Sequence, residues 1–517
     1  MHLFRAVMAF VALALAAPAL SQGMEAVPDR PAGEGEGPYT TLLIKGATMI
    51  DGSGAPPEGP VDILVEGNRI SRIARGGSSL AADRTINATG MFVLPGFVDV
   101  HGHNGDPDKA PQPSYGFKLW LAHGVTSVRG VGFGGGRNDP SLDMKRRSAA
   151  NTITAPRLFA YTVPGDVWPN GRVTNPEQGR AWTRWIKAQG YDGIKLFNSE
   201  DPETLAAILD EAEKQGLGSV AHLGQRGVGQ VNARKAVELG LDGVTHFYGH
   251  LESLLDGRST PDYPPDYNYL DEQSRFGTVA RLEAQAVEPG SEKWDEYVDF
   301  LVESGVTLSP TFNIYSASRD VMRARTLEWH ANYTLPSLMN FYEPSLTNHG
   351  SYYHDRTSED EAAWKRFYTK WFALTRDFKN AGGRVTAGSD PGYIYQTWGF
   401  AYVAELEMLR EAGLTPMEVI QAATINGARE LYDPKGMEPP FGMIREGMLA
   451  DLAIVDGNPL RNLKVLYGTG HRRLNRETNR LETTGGVIWT IKDGIVFDAR
   501  ALLADVARMV EAQKAAR

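Results

Sequence analysis

Between residues 92 and 389 short apolar runs alternate with stretches of helical spacing, and this rhythm restricts the fold more than any other feature. Eight runs have strand character: 92–101, 124–132, 156–163, 190–197, 217–223, 241–247, 305–312 and 383–389. Most follow a glycine, and helical segments such as 202–215 and 230–239 separate them. Strands alternating with helices build a parallel α/β fold, and eight such units close into a (β/α)8 TIM barrel. The reading assigns 92–441 to that barrel.

The flanks read differently. Residues 39–91 hold short strands and turns: Leu42-Leu-Ile-Lys45 before Gly46, 61–65 before Glu66-Gly-Asn68, and 69–74 with period-two alternation. Residues 442–500 have the same character at 451–457 and 486–497. Both ends of the chain are therefore expected to form one small β-sandwich domain beside the barrel. Residues 22–38, rich in Pro, Gly and Glu, read as a flexible linker. Residues 501–517 have the apolar spacing of a C-terminal helix, which would pack on its own barrel or on a neighbour.

Residues 1–21 read as a secretory signal peptide: Arg5, an apolar core from Ala6 to Leu20, then Pro18 and small residues before Gln22. The core is too short for a comfortable transmembrane helix, so no integral membrane segment remains after cleavage. No cysteine occurs, which removes a lipoprotein attachment point and any disulfide framework. Export without disulfides places the expected location in a periplasm. The formal charge of −10, without any block of Lys and Arg, argues against nucleic acid and anionic membrane as partners.

Chemistry concentrates at the strand ends. His101 and His103 close the first run, and side chains at i and i+2 of a strand point to one side. Lys195 lies in the fourth run, His222 ends the fifth, His246 the sixth and Asp390 the eighth. Singly, each has a structural reading as a core histidine, a helix cap or a paired lysine. Together they place a metal centre on the face where this fold carries its active sites. Tyr248 and His250 follow His246 closely and read as substrate contacts assisting an oxyanion, or as packing. Arg129 reads as a contact for a substrate carboxylate, or as half of an ion pair. The long segments 250–300 and 314–380 are lids or oligomer contacts, and a homo-oligomer is compatible with either.

The segments Pro95-Gly-Phe-Val-Asp-Val-His101-Gly-His103, Gly193-Ile-Lys195, Ala221-His222, Val244-Thr-His246 and Gly388-Ser-Asp390 resemble the amidohydrolase superfamily. So do 412–429 and 447–460, and the similarity runs over 39–498. It resembles in particular the binuclear type with a carboxylated lysine, within the prolidase, imidazolonepropionase and ochratoxinase-like group. Two positions depart from that group, at Ala221-His222-Leu223 and Tyr395-Gln-Thr-Trp398. In each the group often has a histidine that touches substrate.

The resemblance implies two divalent ions, zinc first, with Mn, Co or Fe as alternatives. His101, His103 and Asp390 would hold one, His222 and His246 the other, with Lys195 bridging as a carbamate made from carbon dioxide. A hydroxide shared by the metals would attack the carbonyl carbon, with Asp390 as proton shuttle. The small-molecule amide so implied is a dipeptide or N-acyl amino acid. A cyclic amide or lactone is the alternative, and a non-catalytic metal-binding solute-binding protein is the alternative of another class.

Overall fold

The computed structural model describes residues 24–75, 77–131, 139–197, 200–224, 227–345 and 355–516. The signal peptide expected over 1–21 lies outside these residues.

Eight parallel strands form one sheet in chain order. We number these strands alone: β1 (Phe97–Gly102), β2 (Val125–Val131), β3 (Arg157–Thr162), β4 (Gly193–Leu196), β5 (Gly218–His222), β6 (Gly243–Thr245), β7 (Thr307–Ser309) and β8 (Arg384–Val385). The last segment returns to the first. Val100 N–H donates to Ala387 O at 3.1 Å and Asp390 N–H to His101 O at 2.8 Å, which closes the sheet into a barrel.

The connecting helices follow from local sequence. Pro202–Gln215 starts at Asp201, whose carboxylate accepts from the amides of Glu203 and Thr204, and Pro202 occupies the first turn, where its missing N–H is harmless. It stops at Gly216, whose φ of 61° suits glycine. Leu205, Ile208, Leu209 and Ala212 recur at helical spacing and face the barrel.

The flanking domain is a second sheet assembled from both chain ends. Its order is Ile495–Asp498, Gly486–Lys492, Leu452–Asp456, Phe92–Pro95, Thr41–Met49, Glu58–Glu66 and Arg69–Arg75, with Arg84–Asn87 added parallel to Thr41–Met49. Leu42, Ile44, Val61, Ile63, Ile70, Val93, Ile454 and Ile491 form its core. The run 92–101 is therefore two strands in two sheets. They part at Gly96, where a Cβ would collide with the Thr126 side chain. The domain boundary falls there rather than at 91.

The linker reading of 22–38 is also corrected. From residue 24 the segment is a strap on the barrel. Glu25 N–H donates to Pro111 O at 2.9 Å, Arg30 N–H to Thr152 O at 2.8 Å, and Glu36 pairs with Val496. Glu34 meets Lys118 at 2.8 Å and Asp29 meets Arg147 at 2.8 Å. Its composition forbids regular structure, and contacts distant in sequence fix it instead. The terminal helix Ala499–Ala515 buries Leu502, Leu503, Val506 and Val510, and packs on this chain's own Pro113–Ala122. Among the described residues no helix is long and apolar enough to cross a membrane.

The segments after β6 and β7 leave the C-terminal end of the barrel and return to the starts of β7 and β8 through the helices Glu292–Ser304 and Ser358–Asn380, and on the way they bring Phe276, Tyr315 and Trp364 together.

Candidate metal centre

The strand-end residues meet around one carboxylate. Asp390 Oδ1 lies 2.9 Å from His103 Nε2 and 3.5 Å from His101 Nε2, and Oδ2 lies 3.7 Å from His246 Nε2. Ligand atoms of His101, His103 and Asp390 are all within 4.8 Å of one another. The rings of His101 and His246 are 5.0 Å apart, and those of His246 and His222 4.7 Å. The set fits divalent metal: neutral imidazoles beside an anionic oxygen donor, with His101 Nδ1 buried and lacking a hydrogen-bond partner among the described residues. Burial, then the Lys195 charge, holds His101 well below its usual range, which keeps the ring uncharged.

Lys195 is 1% exposed, and among the described residues its Nζ donates to Thr245 Oγ1, at 3.4 Å. Burial pushes its ammonium down to about 7, while Asp390 opposes the shift. Its charge adds to the burial that depresses both His101 and His246.

The backbone bends sharply to make this arrangement. His246, Thr311 and Asp390 have φ of 65°, 50° and 44°, left-handed values that cost non-glycine residues about 1–3 kcal/mol each. Each follows the end of a barrel strand. The strain turns the side chains inward, where continued strand would carry them past the centre.

Two supporting residues escaped the sequence reading. Asp99 accepts from His101 N–H at 3.1 Å, Ser389 N–H at 2.9 Å and Trp120 Nε1–H at 2.9 Å, and also from the Ser389 hydroxyl. It ties β1 to the segment carrying Asp390. Burial pushes it up to about 6, against these four donors. Its signal in the sequence is its place in the apolar run that ends at His101, since a bulge between Asp99 and Gly102 sets it beside Val128 and Trp120 rather than in step with the two histidines. Thr311 left no such signal. Its Oγ1 donates to Pro310 O at 2.6 Å and receives Nδ1–H of His246 at 2.5 Å, leaving Nε2 for a metal. Behind it, Glu405 accepts Asn313 N–H at 2.8 Å, and Asn313 Nδ2 donates to Ser389 O at 2.6 Å.

Of the three expected substrate contacts, one stays at the centre. The Tyr248 ring lies 4.4 Å from that of His222, and its hydroxyl meets Tyr315 Oη at 2.8 Å. His250 is corrected: its Nδ1 meets Tyr297 Oη at 2.8 Å on the helix Glu292–Ser304, and burial alone holds it down at about 3. It packs the first turn after β6. Arg129 is corrected likewise. Its Nη1 donates to Glu430 Oε1 at 2.5 Å, and Thr386 Oγ1 holds the other Glu430 oxygen at 2.8 Å. That pair is buried inside the barrel, so the guanidinium already has its carboxylate.

The amidohydrolase family model matches residues 92–496. A dihydroorotase of Geobacter metallireducens is 30% identical over 216 residues, which are 39% of this chain and 48% of that protein. An N-acyl-D-glutamate deacylase of Alcaligenes xylosoxydans xylosoxydans is 39% identical over 87 residues, 17% of each chain. The chain thus spans about half the length of the dihydroorotase it matches. The crystal structure of a Xaa-Pro dipeptidase with methionine in its active site superposes with a TM-score of 0.58 at 21% identity, over 89% of this chain and 100% of that one.

Proposed function

Since the chain belongs to the amidohydrolase family and is a hydrolase acting on carbon–nitrogen bonds, we propose that it cleaves the amide of a dipeptide or N-acyl amino acid. The observation that carries this reading is the convergence of His101, His103, His246 and Lys195 on Asp390 at the C-terminal end of the barrel.

In this reading His101, His103 and Asp390 would hold one divalent ion and His222 and His246 a second, zinc being the first choice. Bound metal supplies Lewis acidity and a water acidified towards neutral pH. Lys195, as a carbamate, would supply a further anionic oxygen ligand. Burial leaves a useful fraction of free amine near neutrality, and its nitrogen adds to carbon dioxide with loss of one proton. A cation without a lone pair becomes an anionic oxygen donor. Asp390 takes the proton of the attacking water and passes it to the departing nitrogen, which would otherwise leave as an amine anion. The Tyr248 hydroxyl, placed by Tyr315, donates to the carbonyl oxygen as charge grows there.

The dihydroorotase likeness supports a second reading, in which the same centre opens a cyclic amide. A panel of N-acyl amino acids, dipeptides and cyclic amides separates the two. Lys195→Ala and Asp390→Asn should each lower kcat by at least about 10²-fold while keeping the circular dichroism of the parent. Parental activity in either variant contradicts the mechanism. Export is read from residues 6–20 alone, and N-terminal sequencing of secreted protein should begin at Gln22.

A further inference from the structure

Lys109 lies in the loop that leaves β1, a few residues after His103. Its side chain is 3% exposed, an unusual position for an ammonium. Its ion pair among the described residues is with Asp106 Oδ2 at 3.5 Å, longer than the roughly 2.7–2.9 Å of a charge-assisted hydrogen bond. Two aromatic faces flank it. Nζ is 3.3 Å from the Tyr393 ring centroid and 4.3 Å from that of Phe341. Rings stabilise a cation without using its three N–H donors.

The ammonium also borders the metal centre. Tyr393 stands edge-on to His103 with ring centroids 5.4 Å apart, and Asp390 is among the carboxylates that act on Lys109. The loop needs no lysine to hold its shape. Asp106 and Ala110 exchange backbone hydrogen bonds of 3.0 and 2.9 Å, and Ser337 Oγ donates to Lys109 O at 2.7 Å. Asp106, at 30% side-chain exposure, is partly given to solvent. A lysine serving only the loop would pair more closely. This one is buried beside the reacting groups with donors to spare, the arrangement that receives an anion.

Resting on the amide reading above, we propose that Lys109 receives the carboxylate of the substrate and makes the enzyme selective for anionic amides over neutral ones. Lys109 is then a specificity residue. Removing its charge should lower the preference for acids over their carboxamides, mainly through KM.

The test pairs N-acetyl amino acids and dipeptides with their C-terminal carboxamides. The kcat/KM ratio of acid to carboxamide is measured for wild type, Lys109→Met, Lys109→Arg and Asp106→Asn, all metal-loaded. Wild type should prefer the acids. Lys109→Met should cut that ratio by about 10- to 100-fold, the value of a hydrogen bond to a charged group. Lys109→Arg should keep most of the ratio, and Asp106→Asn should leave it in place. Lys109→Gln repeats the test if the methionine variant does not fold. Wild-type preference for carboxamides overturns the proposal. So does an unchanged ratio in Lys109→Met, or an equal fall in Asp106→Asn, and in these cases the amide reading stands. Turnover of no member of the panel by wild type overturns the amide reading and the proposal with it.

Discussion

Two buried lysines mark two regions of the molecule with opposite electrical character. Lys492 lies at the seam between the N-terminal end of the barrel and the flanking sheet. Its Nζ donates to Ser148 O and Asn151 Oδ1, each at 2.6 Å, and stands 3.4 Å from Asp493 Oδ2. Beside it Arg157, the first residue of β3, pairs with Asp451 and Asp493. Two cations face two carboxylates and the protein completes the set itself. Lys195, as deeply buried, has among the described residues one hydroxyl at 3.4 Å and the Phe197 ring at 5.3 Å. Burial pushes Lys492 down to about 8 and Lys195 to about 7. The difference lies in what surrounds each charge. A buried group with its partners in place holds the structure together, whereas one without them marks where a ligand completes the site.

Substitutions can break this contrast. The largest effect is expected at Asp390→Asn, which removes the proton carrier. It should lower kcat about 10²- to 10⁴-fold in steady-state assays, where seam variants keep the kcat of the parent at low temperature. Next comes Arg157→Met, which leaves Asp451 and Asp493 short of a cation. It should destabilise the chain by about 3–5 kcal/mol, read from the urea midpoint. Lys195→Met is its counterpart. In metal-free protein it should be neutral or stabilising, and a loss as large as that of Arg157→Met would end the comparison.

Smaller effects sharpen it. Thr311→Val frees the His246 ring and should weaken metal binding about 10- to 100-fold in chelator competition, with Thr311→Ser close to the parent. The smallest effect is a pH slope. Burial raises Glu405 to about 8, above its ordinary 4.5. The folded state therefore binds more protons than the unfolded state between these values, so stability falls as pH rises from 4.5 to 8. Glu405→Gln should flatten that decline in thermal unfolding of metal-free protein. An unchanged slope would show that Glu405 does not titrate as its burial requires.

Much of this architecture is legible in the sequence. Strands buried on both faces must be apolar, so the eight runs stand out, and His101, His103 and Asp390 stand out against them because polar groups end such runs. What is illegible depends on partners far along the chain. Nothing near Gly96 announces that Thr126 will deny it a side chain. Arg129 and Glu430 are separated by 301 residues, and His250 and Tyr297 by 47. Each contact exists only in the closed barrel. The strap at 24–38 has linker composition, yet its bonds to Pro111, Thr152 and Val496 exist only in the folded molecule. Thr311 acts through a backbone angle that no residue type specifies. Asp99 is the intermediate case, an acid visible inside an apolar run whose partners, Trp120 and Ser389, were not.

We propose that Lys195 completes a two-metal centre, and elemental analysis of wild type and Lys195→Ala, both supplied with zinc and bicarbonate, tests this. Wild type should carry about two metals per chain, with loss of metal and of turnover in the variant. One metal or none in the wild type, or full metal loading in Lys195→Ala, would contradict it.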